Sequence, residues 1–76
     1  MSELQEILRG IRPEFDFSTS EDFIADGMLD SLDVVTLVWD LDKRYGISID
    51  GVDIVRENFR SLAAIEQLIQ KHSRRE

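Results

Sequence analysis

No cysteine occurs in this chain, so it holds neither a disulfide framework nor a thiolate metal site, and it has no reactive thiol of its own. No apolar run approaches the roughly 20 residues needed to span a bilayer, which argues against membrane insertion. The opening Met1-Ser2-Glu3 lacks the basic start and apolar stretch of a secretory signal, so a cytoplasmic protein is expected. Bases are also scarce: nine Lys and Arg stand against sixteen Asp and Glu, a formal net charge of −7. Such a surface repels nucleic-acid phosphates and anionic lipids; it either attracts basic protein patches or serves solubility alone. With one proline, four glycines and 42% hydrophobic residues, the chain has too much apolar surface for a disordered tail. Its 76 residues are expected to form one domain, 1–76, acting as a monomer, with a core too small for a deep catalytic cleft.

What is present is helical periodicity. Leu4, Ile7, Leu8 and Ile11 fall at i, i+3, i+4 and i+7, the spacing of one buried stripe. Ser2 and Gln5 have capping-box spacing, and Gly10 with Pro13 mark the end of this first helix. From Pro13 to Leu29 no period is sustained, yet Phe15, Phe17, Phe23 and Ile24 are scattered through the segment. A loop of that length in a compact domain is expected to be ordered and to cover one end of a helical bundle. Asp30 to Tyr45 reads as the longest helix, capped by Asp30 or Ser31 and stopped by Gly46. Val34, Val35, Thr36 and Val38 leave a strand as the alternative, but sixteen residues without a turn signal favour helix. A short helical turn near Asp53 to Phe59 and a last helix follow. Ser61 caps the last helix, Leu62, Ile65, Leu68 and Ile69 share one face, and Lys71, Arg74 and Arg75 sit at the favourable end of its dipole. The fold class is all-α: a small bundle of three main helices plus one short helix.

The segment from Asp26 to Asp33 holds the strongest chemical signal. Ser31 lies where a glycine-containing loop meets a helix N-terminus, a place that exposes its hydroxyl and favours an attached phosphate. The plain alternative is that Asp30-Ser31 is only a helix cap. On a helical wheel, Leu37, Leu41, Val34, Tyr45 and Val38 form a core-facing stripe, whereas Leu32, Val35 and Trp39 form a second apolar patch about 100° or more away. Either the loop bearing Phe15, Phe17 and Phe23 covers this patch or a partner does. His72, the one histidine, reads as a solvated residue with nothing nearby to orient it. The Asp40–Asp42 and Asp50–Asp53 carboxylates lack calcium-loop spacing and read as surface acids, so no metal ligand is assigned. No general base accompanies Ser31, and no catalytic residue is assigned.

The stretch Asp26-Gly27-Met28-Leu29-Asp30-Ser31-Leu32-Asp33 resembles the attachment site of the acyl carrier protein family. The valine-rich helix, the Tyr45-Gly46-Ile47-Ser48-Ile49 exit, the long preceding loop and the final amphipathic helix are also similar to that family, so the resemblance covers Leu4 to Ile69. It implies that the chain is not an enzyme. Ser31, within a motif that includes Asp30, would carry 4′-phosphopantetheine attached by a phosphopantetheinyl transferase. The arm's terminal thiol would hold acyl intermediates as thioesters, as in fatty acid or polyketide biosynthesis. Leu32, Asp33, Val35, Trp39 and Asp42 would then face the transferase, an acyl- or aminoacyl-loading ligase and downstream enzymes with basic patches. Fatty-acid carriers commonly read Asp-Leu-Gly-Ala-Asp-Ser-Leu; here the glycine comes one place earlier, and Thr36 and Lys43 stand where those carriers often have glutamates. That order, with Glu57-Asn58-Phe59, looks more like D-alanyl and other stand-alone carriers, so an aminoacyl, D-alanyl or peptidyl carrier is the alternative cargo class. From another class, the alternative is an acidic helical binding module with no prosthetic group.

Overall fold

A computed structural model describes residues 3–73. Four helices, α1 (Glu3–Ile11), α2 (Ser31–Tyr45), α3 (Arg56–Phe59) and α4 (Leu62–Ser73), are joined by loops that carry 3-10 turns at Phe17–Thr19 and Gly51–Asp53. Among the described residues there is no strand: the all-α reading holds, and the strand alternative for the valine-rich segment does not. Ser2, Arg74 and Arg75, assigned to helix ends from the sequence, lie outside the described residues.

The helices form where a single apolar stripe can be buried. α1 contributes Leu4, Ile7 and Leu8, α2 contributes Val34, Leu37, Val38 and Leu41, and α4 contributes Ile65, Leu68 and Ile69. β-Branched residues are tolerated in α2 because two of them face this core and its ends are well fixed. Asp30 caps the start, and Gly46, at φ +64°, ends the helix by returning its N–H to the Asp42 carbonyl. The Ser61 hydroxyl accepts the Ala64 amide at 3.1 Å, the expected cap of α4.

The long α1–α2 loop is ordered because its aromatics are core residues. Phe23 is fully buried and meets Phe17 edge-to-face, with ring centroids 4.9 Å apart. Its backbone is also used: the Phe23 N–H donates to the Arg60 carbonyl, and its carbonyl accepts from Met28 and Leu29. The loop is thereby tied to the α3–α4 junction. Asp22 accepts the Ile24 and Ala25 amides, and Gly27 turns the chain at φ +73°. This last conformation strains any residue with a Cβ, a local reason for glycine at that place in the motif. The turn delivers the chain to Asp30 in extended geometry, ready to cap α2.

Candidate functional site

The start of α2 is held by a reciprocal pair of carboxylates. The Asp30 side chain accepts the Asp33 amide at 2.8 Å, and Asp33 accepts the Asp30 amide at 3.2 Å, a capping box with Asp in both places. Arg12, at the end of α1, closes the arrangement. Its Nε donates to Asp33 at 2.8 Å, while its two terminal nitrogens lie 3.4 Å from Asp30 and 3.1 Å from Glu14. The hydrogen bond to Asp33, then that to Glu14, pushes the Arg12 guanidinium further toward its charged form. The Asp30 carboxyl lies below the usual carboxylate range, chiefly because it accepts the Asp33 amide. The loop–helix junction is therefore rigid and charged, and Ser31 is the first helical residue beyond it.

Ser31 is exposed, and among the described residues no hydrogen bond engages its hydroxyl. It opens onto a cavity of about 370 Å³, bounded by Ile24, Asp30, Ser31, Val34 and Val35 on one side and by Ile54, Val55 and Arg56 on the other. That volume is enough for a small extended ligand. The wall is mostly apolar, and Arg56 is its one cation. A larger hollow between α1 and α2, bounded by Glu6, Ile7, Gly10, Asp40, Lys43 and Arg44, is polar and does not reach Ser31.

The sequence-predicted site residues separate into two groups. Leu32, Val35 and Trp39 form an exposed strip on α2, at 73%, 52% and 69% exposure. The aromatic loop turns its rings into the core and leaves the strip uncovered. Asp33 and Asp42, expected on the same face, have internal partners. Asp33 is turned to Arg12 with its side chain 15% exposed. Asp42 accepts the Ile49 amide at 3.2 Å, fixing the exit from α2. It lies about 16 Å from Ser31 along the helix.

The reading of His72 requires correction. Its Nε2 lies 2.9 Å from Asp53 Oδ2, and the ring is only 10% exposed. Lys71 Nζ reaches the same carboxylate at 3.1 and 3.0 Å. Asp53 precedes Ile54 and Val55, so this clasp anchors one wall of the Ser31 cavity to α4. The Asp53 carboxyl is held below its usual range, first by the hydrogen bond from Lys71 and then by that from His72. The partner of His72 is nineteen residues away in sequence and is brought to it only by the packing of the Gly51–Asp53 turn on α4. Asp50 joins Asp53 and His72 within 4.8 Å, but Lys71 already supplies the positive charge there.

Sequence reasoning missed Arg12, Arg56 and the Ile54–Val55 wall. Only the Asp30-x-x-Asp33 spacing offered a local signal; the other contacts are long-range.

A family model described as phosphopantetheine attachment site matches residues 2–69. No significant match to a curated protein or to a solved structure was found.

Proposed function

The chain belongs to the phosphopantetheine attachment family, whose members are non-catalytic carriers bearing a covalent 4′-phosphopantetheine group and working with a phosphopantetheinyl transferase and synthetic enzymes, and from this premise we propose that Ser31 is the attachment residue of an acyl carrier protein. The observation that carries this reading is the state of the Ser31 side chain: exposed, without a hydrogen bond, and placed at the N-terminus of the 15-residue α2 beside an open apolar cavity. These features fit the group. The helix dipole favours a phosphate there, and the cavity offers an apolar surface for the arm. Asp30 works against a second negative charge, and its contact with Arg12 offsets this.

In the attachment step the Ser31 hydroxyl oxygen bonds to the pantetheine-bearing phosphorus of coenzyme A. The pyrophosphate P–O bond breaks, adenosine bisphosphate leaves, and the hydroxyl proton passes to the transferase or to water. Once attached at Ser31, the arm would supply a terminal thiol able to hold acyl cargo as a thioester. The chain itself presents the anchor at a fixed point, since the Asp30–Asp33 box and Arg12 determine where α2 begins. Its exposed Leu32, Val35 and Trp39 strip supports docking by the transferase, a loading ligase and downstream enzymes. On this reading residues 1–76 act as one carrier domain, a monomer in the cytoplasm.

Intact-mass analysis after incubation with coenzyme A and a promiscuous transferase tests the proposal. One phosphopantetheinyl increment is expected on the wild type and none on Ser31→Ala, whose helical circular dichroism should be unchanged because Asp30 remains as the cap. An increment that persists in Ser31→Ala would overturn the assignment.

A second reading of the cargo, an aminoacyl or D-alanyl group, is favoured by the early glycine at Gly27 and by Thr36 and Lys43 in place of acids. Thioester formation with amino acids, but not fatty acids, in the presence of the respective loading ligases would select it.

A further inference from the structure

Two arginines lie near Ser31, and only one can be spared for a new anion. Arg12 is shared among Glu14, Asp30 and Asp33. Withdrawing it would leave the capping carboxylates without their counter-charge, so Arg12 belongs to the anchor.

Arg56 is different. It is the first residue of α3, borders the same cavity as Ser31, and its side chain is 59% exposed. Its ion pair, with Asp22, is long at 3.4 Å, near the limit of a useful hydrogen bond. Asp22 is well satisfied without it. The carboxylate accepts the Ala25 amide at 2.9 Å and the Ile24 amide at 3.2 Å. The Ala25 bond, not Arg56, is the first cause of its lowered pKa. Release of Arg56 therefore leaves no buried charge unpaired and no loop unsupported.

A phosphodiester on Ser31 would bring a negative charge into the cavity that Arg56 borders and beside an ionised Asp30. A guanidinium meets phosphate with a planar, two-point donor set, a stronger match than a single 3.4 Å contact to a carboxylate. We propose that Arg56 exchanges Asp22 for the phosphodiester attached to Ser31, and so lays the first part of the arm between Val35 and Val55. The inference rests on the Ser31 reading and adds a positioning residue for the arm. Arg56 thereby becomes a second determinant of where the thiol can reach, alongside the direction of α2.

The test uses the full chain before and after transferase modification, as wild type, Arg56→Gln and Arg56→Lys. In wild-type protein the Arg56 side-chain Nε–H resonance should shift on modification, and the shift should diminish in high salt. The phosphorus resonance of the modified Arg56→Gln protein should be narrower than that of the wild type, reporting a freer arm, with Arg56→Lys in between. The unmodified variants should melt with the wild type, because the Asp22 contact is exposed and long. An unmoved Arg56 resonance, or identical phosphorus linewidths in wild type and Arg56→Gln, overturns the proposal while the mass increment on Ser31 stands. Absence of that increment from Ser31 overturns both readings.

Discussion

Trp39→Ala separates a docking surface from a core. Trp39 is 69% exposed. Of the roughly 200 Å² that a tryptophan can bury, only about 60 Å² is therefore covered, worth about 1.5 kcal/mol at about 25 cal/mol per Å². Alanine retains the Cβ contacts and gains about 0.5 kcal/mol of helix propensity. The net loss of stability should be about 1 kcal/mol or less, against about 3–5 kcal/mol for a buried tryptophan. The expected effect on docking is larger. Trp39 lies about 12 Å from Ser31 along α2, at 1.5 Å per residue, well inside the footprint of an interface that covers about 800 Å² on each partner. A central aromatic in such an interface costs about 2 kcal/mol or more when truncated, which is about 30-fold in affinity. Urea melts with the unmodified protein, run beside transferase and loading-ligase kinetics, measure both quantities. The expected pattern is a nearly unchanged midpoint and a raised KM for at least one enzyme. A stability loss of about 3 kcal/mol, or tryptophan emission typical of a dry interior, would place the ring in the core. An unchanged KM with every enzyme tested would remove Trp39 from the docking surface.

The remaining predictions concern charged groups. Asp33→Ala removes half of the capping box and the main partner of Arg12, and should cost about 1–2 kcal/mol in a denaturant melt; a loss no larger than that of Trp39→Ala would show that the box does not hold α2. For Asp53, the folded-state pKa is lowered by Lys71 and His72, so the stability it contributes is present above the unfolded value of about 3.9 and is lost as pH falls through the folded value. The difference in stability between wild type and Asp53→Asn should therefore be constant near neutrality and shrink below about pH 4; a difference that does not change with pH would mean the clasp does not depend on the carboxylate charge.

How far the architecture could be read in advance depended on the range of the interaction. The stripes of α1, α2 and α4, the Ser61 cap and the Gly46 stop are set by residues within a turn or two of one another, and each is visible as spacing. The exposed Leu32, Val35 and Trp39 strip was legible for the same reason, since a wheel separates it from Leu37 and Leu41 without reference to other elements. Whether the aromatic loop covered it was not legible. That depended on the Phe23 N–H reaching the Arg60 carbonyl and on the Phe17 ring meeting the Phe23 ring edge-to-face, contacts made by a segment with no period. Arg12 reaches its carboxylates across 21 and 18 residues, and Arg56 reaches Asp22 across 34. Side chains of this length have too many possible partners for spacing to select one, and the partner of His72 is set by the packing of the Gly51–Asp53 turn on α4.

Internal contacts also change what the acidic composition means for recognition. Asp22, Asp33, Asp42 and Asp53 accept hydrogen bonds from backbone amides or from side chains on other segments. In a domain with so small a core, such contacts fix loops that apolar burial alone would leave loose. The direction of these carboxylates is set by the fold, so a basic partner meets them in the geometry of a cap, a loop or a clasp. The exposed large hydrophobics are Leu32, Val35 and Trp39 on α2 and Val52, Ile54 and Val55 on the segment between α2 and α3. Negative charge can still steer a basic enzyme toward the domain, because steering depends on the summed field. On the reading of Ser31 as the anchor, discrimination at the contact is expected to rest on the exposed Leu32, Val35 and Trp39 strip.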